Sequence, residues 1–282
     1  MPVLPAVAST TVPPGGNTGI GLAHVCNARG YRLVIVMPDN QSPEKYALIE
    51  ALGAEVRRIK AVPYADPNHY QKVAARLAGE LPNAILANQF DNVANRRAHV
   101  ESTGPEIWQQ TDGRIDAFVA SSGTGGTLAG VSKFLREKKK DIVIGLADPH
   151  GAGMYNLFKH GEAKATEGNS ITEGIGLGRM TPIIEELRVD KPYLVPDEEA
   201  ITILFELLLH EGLCLGGSSG INVAGAIRLA KDLGPGHTIV TVLCDSGTRY
   251  QSKLYNPEFL HSKKLPVPEW LERKSNIKPP FS

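Results

Sequence analysis

The sequence has 282 residues, 42% of them hydrophobic and 21% charged, enough for one large or two modest domains with a buried core. Lysine plus arginine and aspartate plus glutamate both number 30, and this balance argues against a nucleic-acid or anionic-membrane surface as the main business. Three widely separated cysteines without metal-ligand spacing, Cys26, Cys214 and Cys244, fit a reducing compartment, and no apolar run approaches a membrane span.

In chain order, positions 1–14 hold no charged side chain, which suits neither a mitochondrial presequence nor a secretory signal, and an unstructured start is expected there. Gly15-Gly16-Asn17-Thr18-Gly19-Ile20-Gly21 is a glycine turn that opens a helix. Arg32–Met37 reads as a buried strand stopped by Pro38, and Ser42-Pro43-Glu44-Lys45 starts a helix with proline in its first turn. A strand over 54–59, a helix over 69–81 and a short strand over 84–87 follow. This βαβα alternation with short connections implies a parallel sheet with helices on both faces. The polar loop Asn88–Asn92 marks a crossover between domains, and Thr103-Gly104-Pro105-Glu106 opens another helix.

Next come an apolar strand over 115–120, the turn Ser121-Ser122-Gly123-Thr124-Gly125-Gly126-Thr127, and Leu128, Val131, Phe134 and Leu135 at helical spacing. Glycines here let backbone N–H groups close around an anion, the helix N-terminus adds partial positive charge, and Thr124 and Thr127 bring hydroxyls, so a phosphate-sized dianion fits. A tight turn packed closely for structural reasons alone is the other reading of the same residues. There is no Lys-Ser/Thr ending, so it is not a Walker loop. The remainder reads as a strand over 143–147, a glycine-rich loop over 170–179, a helix from an Asp197 cap to His210, a third glycine turn at Gly216–Gly220 that opens a helix, and a strand over 238–244. The tail beyond Pro257 is expected to wrap the surface. His24, His99, His150 and His210 show no metal-site spacing with cysteines or acids. Ligands of open parallel sheets bind beyond the carboxyl ends of strands, so the turns at Asn17, Gly123, Gly174, Ser218 and Asp245 are the candidate rim.

Taken together and in this order, Gly16-Asn17-Thr18-Gly19, Thr103-Gly104-Pro105-Glu106, Gly123–Thr127, Glu173-Gly174-Ile175-Gly176 and Gly217-Ser218-Ser219-Gly220 resemble the cysteine synthase (O-acetylserine sulfhydrylase) group of fold-type II pyridoxal-phosphate enzymes. The resemblance covers Gly16 to Tyr255. It implies an α/β fold of the tryptophan synthase β-like type, with two three-layer αβα domains: an incomplete one over 15–92 and a cofactor-binding one over 93–282, after the unstructured 1–14. It also implies pyridoxal 5'-phosphate as cofactor. Gly123, Thr124, Gly125, Gly126 and Thr127 would hold its phosphate, Asn17 its ring hydroxyl and Ser218 its pyridine nitrogen. Thr18 and Gln89 would hold the substrate carboxylate, with Gly174 facing the reacting centre. A serine at the pyridine nitrogen makes the ring a weaker electron sink than an aspartate does, which suits elimination and addition at Cβ. The implied reaction replaces the acetate of O-acetylserine with sulfide to give L-cysteine. Taken singly, Asn17 and Ser218 are equally helix caps and Gln89 a loop amide.

The sequence departs from the family pattern before Asn17. The family's Schiff-base lysine belongs upstream of the Asn-Thr-Gly turn, yet the first lysine here is Lys45, on the helix after the next strand. Pro14-Gly15 replace the hydroxyl-bearing pair before the Gly-Asn. The expectations are an N-terminally truncated form with no catalytic lysine, a cofactor bound non-covalently at best, and weak or absent catalysis. The alternatives are a non-catalytic isoform that pairs with a full-length paralogue, and a cystathionine β-synthase-like β-replacement enzyme. A homodimer or such a heterodimer, no nucleic-acid or membrane partner, and a cytoplasmic location (mitochondrial for a longer form) complete the expectations.

Overall fold

The computed structural model describes residues 5–9, as backbone, and 16–272. Two four-stranded parallel sheets organise them. The first has strand order β3-β2-β1-β4, built from β1 (Pro5–Ser9), β2 (Arg32–Pro38), β3 (Glu55–Ile59) and β4 (Ile85–Leu86). The second has order β7-β6-β5-β8, from β5 (Ala117–Ala120), β6 (Val143–Pro149), β7 (Lys191–Val195) and β8 (Ile239–Val240).

The run Leu33 to Met37 is apolar throughout because β2 is covered on both faces. Leu33, Ile35 and Met37 pack on α1 (Asn17–Arg29) and α2 (Pro43–Ala51), whereas Val34 and Val36 pack on α3 (Tyr70–Glu80). The second sheet repeats the device. Phe118 and Ala120 meet α6 (Gly126–Lys138), while Ala117 and Val119 meet α8 (Asp197–Glu211) and α9 (Gly217–Leu233). Between the sheets, α4 (Ala94–Ala98), a π-helical turn (His99–Thr103) and α5 (Gly104–Gln110) run on continuously, and α7 (Met154–His160) follows β6. The chain closes through a 3₁₀ turn (Gly247–Tyr250), α10 (Pro257–Ser262) and α11 (Glu269–Glu272).

Several expectations change. The unstructured start is corrected at Pro5–Ser9, which form a strand paired in parallel with both β2 and β4. The rest of that expectation, residues 1–4 and 10–14, lies outside the described residues, as do Pro14-Gly15 and positions 273–282 of the tail. The tail that is described carries α10 and α11, with Leu260 and Leu271 packed in one cluster with Ile201, Leu204 and Phe205 of α8. Asp197 does not cap α8. Its carboxylate accepts from Ser170 Oγ (2.5 Å) and Ile171 N–H (2.8 Å), so it pins the 170–173 loop instead. The strand expected over 238–244 is only two residues long. Beyond Val240, Thr241 Oγ donates to Val119 O (2.7 Å) and Asn222 Nδ2 to Val242 O (2.8 Å), so side chains take over from the ladder.

Candidate functional site

The turn after β5 meets the N-terminus of α6 at the carboxyl edge of the second sheet. Position 123 must be glycine, since a Cβ there would lie 2.3 Å from Gly174 O. Position 125 has φ +87°, and a Cβ would lie 2.1 Å from Ile184 Cγ2. The first-turn amides of α6 lack intrahelical acceptors and carry the positive end of the helix dipole. Asn95 Nδ2 holds Thr124 Oγ1 (2.9 Å), and His99 Nε2 meets Thr127 Oγ1 (3.2 Å) while His99 Nδ1 meets Thr103 Oγ1 (2.9 Å). Burial lowers the His99 pKa, which favours a neutral ring. If Thr103 donates to Nδ1, Nε2–H donates to Thr127 and leaves the Thr127 hydroxyl proton to point at a ligand.

The Gly123–Thr127 turn lines a cavity of about 250 Å³. Asn17, Thr18, Gln89, Gly123 to Thr127, Gly174 and Ser218, all chosen from the sequence, lie on its wall. A groove that shares Thr18, Gln89, Thr124 and Thr127 continues past Leu22, Asn92 and His99. The fifth rim turn, at Asp245, stands behind the wall. Its Oδ2 accepts from Asn17 Nδ2 (2.7 Å) and Tyr250 OH (2.7 Å), and Arg249 donates to Asn17 Oδ1 (2.9 Å). The Asn17 amide thus keeps one N–H and one lone pair for a ligand.

The wall also carries residues not picked out as site residues from the sequence, among them the polar or ionisable Glu173, Asn222 and Cys244. Asn222 follows Ser218 by one helical turn on α9, a spacing that signals a shared face. Its Oδ1 accepts from Ser121 N–H (2.7 Å) and its Nδ2 donates to Cys244 Sγ (3.3 Å). Burial pushes the Cys244 thiol pKa up, so the thiol stays protonated. Glu173 is buried, and its carboxylate is shared by Lys45 Nζ (2.7 Å) and Lys253 Nζ (2.5 Å). Lys45 is completely buried beneath the site rather than remote from it, but it is not on the cavity wall.

A phosphate ester fits the turn. The α6 N-terminus, at Gly125 to Thr127, faces the cavity, and the Thr124 and Thr127 hydroxyls flank it. Asn17 and Ser218 lie on the wall of the same cavity, an amide and a hydroxyl able to hydrogen-bond the polar atoms of a heteroaromatic ring. Among the described residues, no lysine lines the cavity to anchor a carbonyl.

Comparison with known proteins agrees with this geometry. Residues 6–245 match the pyridoxal-phosphate dependent enzyme family. The chain is 46% identical over 273 residues to cysteine synthase 2 of Schizosaccharomyces pombe, an alignment that covers 90% of this chain and 69% of that protein. It is 48% identical over 265 residues to cysteine synthase 1 of Neurospora crassa, covering 92% of this chain and 70% of the relative. The crystal structure of O-acetylserine dependent cystathionine beta-synthase from Helicobacter pylori superposes with a TM-score of 0.78 at 31% identity, covering 88% and 77% of the two chains. With glycine turn, sheet order and sequence in agreement, the chain belongs to the pyridoxal-phosphate dependent enzymes of fold type II.

Proposed function

We propose that this chain serves pyridoxal-phosphate-dependent cysteine biosynthesis, in which sulfide replaces the acetate of O-acetylserine. The observation that carries the reading is the gathering of Asn17, Gln89, Gly174 and Ser218 around the Gly123–Thr127 turn in a single cavity, in a chain 46–48% identical to named cysteine synthases. The turn holds the phosphate through backbone amides and the Thr124 and Thr127 hydroxyls. Asn17 orients the ring through its spare amide valences, and Ser218 offers a neutral hydroxyl to the ring nitrogen. Thr18 and Gln89, at the junction with the adjoining groove, hold the carboxylate of the amino acid. When bound, the cofactor supplies the electron sink for loss of acetate from, and addition of sulfide to, the β-carbon. A dimer and a cytoplasmic location belong to the same reading. Among the described residues no helix is long and apolar enough to cross a membrane.

Among the described residues no lysine lines the cavity, so none of them gives the α-proton a positioned base, a role worth roughly 10²–10⁴-fold in rate. For this chain we therefore expect turnover reduced by at least about that factor. The test is cysteine formation from O-acetylserine and sulfide by the purified chain, with and without added cofactor. Slow, cofactor-dependent formation is expected. Product that forms equally well without cofactor, or with phosphoserine in place of O-acetylserine and not with O-acetylserine itself, would contradict the reading.

A further inference from the structure

Three charged side chains from distant parts of the chain meet in the interior behind the cavity wall. Lys45 comes from α2, Glu173 from the glycine-rich loop, and Lys253 from the segment after the 3₁₀ turn. The Lys45 and Glu173 side chains are 0% and 1% exposed, and Lys253 is 21% exposed. Each Glu173 oxygen takes one ammonium, and Lys45 Nζ also lies 4.3 Å from the centre of the Tyr250 ring. Burial lowers the Lys45 pKa, and the Glu173 carboxylate works against that shift. An uncompensated ammonium here would be costly, so the pair is locked together.

The next residue after Glu173 is part of the phosphate cradle. Gly174 O closes on Gly123, and the Gly176 and Leu177 N–H groups donate to Ser122 O at 3.0 and 3.3 Å. Whatever fixes Glu173 therefore fixes one wall of the cavity. We propose that Lys45 and Lys253 are positioning residues that hold the Glu173–Ile175 wall against the Gly123 turn, and that Lys45 acts on the site only through Glu173, not as a covalent anchor. This assignment rests on the cavity being the cofactor site.

The charge arrangement predicts an unusual order of effects. Lys45→Met leaves Glu173 paired with Lys253, so the wall loosens moderately. Glu173→Gln strands two ammonium groups on a neutral amide, and the wall loosens more. Lys45→Met combined with Glu173→Gln leaves only the part-exposed Lys253, so the double variant is tighter than Glu173→Gln alone. Amide hydrogen exchange at Gly176 and Leu177 in the cofactor-free protein reads this directly. We expect it to rise about tenfold in Lys45→Met, further in Glu173→Gln, and to fall back in the double variant, with α8 amides unchanged. Unchanged exchange at those two amides, a uniform rise throughout the molecule, or a double variant worse than either single one would overturn the proposal. Titration with pyridoxal phosphate should weaken in the same order. If the parent chain takes up no cofactor at all, the cofactor reading falls while the exchange pattern still decides the triad. Stoichiometric attachment of cofactor to Lys45 after borohydride reduction would overturn it, because Lys45 would then act directly.

Discussion

A methyl group at position 125 has no room and the wrong backbone. The residue has φ +87°, and its Cβ would fall 2.1 Å from Ile184 Cγ2. Left-handed backbone costs a non-glycine residue about 1–2 kcal/mol, and overpacking a core contact adds about 1–3 kcal/mol. Gly125→Ala should therefore destabilise the chain by about 2 kcal/mol or more in denaturant unfolding. A change within experimental error would mean the turn is not held as described. Asp148, fully buried at the end of β6, makes a different kind of prediction. Its Oδ2 accepts the Tyr155 N–H (2.8 Å), its Oδ1 has no hydrogen-bond partner among the described residues, and burial pushes its pKa up to about 7. The folded chain then holds a proton that the unfolded chain releases near pH 4. The associated stability is present in acid and is lost as pH rises from about 4 to about 7, at up to about 1.4 kcal/mol per unit. Asp148→Asn should flatten this part of the melting-temperature profile relative to the parent. A variant profile just as steep between pH 5 and 7 would place the titration elsewhere.

Among the elements, α2 carries more than its packing face. Glu44, beside the Pro43 start, accepts from Ser252 N–H (2.7 Å) and Ser252 Oγ (2.9 Å), and Ser42 Oγ donates to Arg249 O (3.0 Å). The 249–253 segment is thereby strapped across the first sheet's helices. Glu44→Ala removes two charge-assisted bonds and should cost about 1.5–3 kcal/mol, measurable as a lower denaturant midpoint. Retention of full stability would show that the strap contributes nothing. The unit β5–turn–α6 was legible in the sequence because every signal in it is local: a buried apolar strand, glycines, then apolar residues at helical spacing. The start of α2 was legible for the same reason, through Pro43. Asp197 was misread because two nearby donors, Ser170 Oγ and Ile171 N–H, compete for the carboxylate that a cap would use. The strand expected over 238–244 shortens to β8 because β-rich composition does not show that the Asn222 and Thr241 side chains replace the ladder beyond Val240.

At the scale of the whole molecule, two parallel sheets with helices on both faces set one cavity where their turns meet. The parallel-sheet architecture follows from βαβ order, and the cavity's wall follows from motifs that lie tens of residues apart. What no local pattern shows is the partner of Lys45, since Glu173 lies 128 positions away and neither residue's neighbours announce the pair. Lys45 looked misplaced for chemistry from its position in the sequence; in the fold it is a support of the site. The second sheet's core depends on Leu128, fully buried between α6 and the sheet. Leu128→Ala should cost about 2–5 kcal/mol and, by loosening the first turn of α6, weaken any ligand held there.

The most direct test of the account is equilibrium titration of the purified chain with pyridoxal phosphate, followed by cofactor absorbance and repeated with Gly125→Ala. Saturable uptake of one equivalent, competed by inorganic phosphate, reversed by dialysis and greatly weakened in Gly125→Ala, is the predicted result. Absence of saturable uptake by the parent chain, or uptake equally strong in Gly125→Ala, would contradict the assignment of the Gly123–Thr127 turn as the cofactor's phosphate cradle.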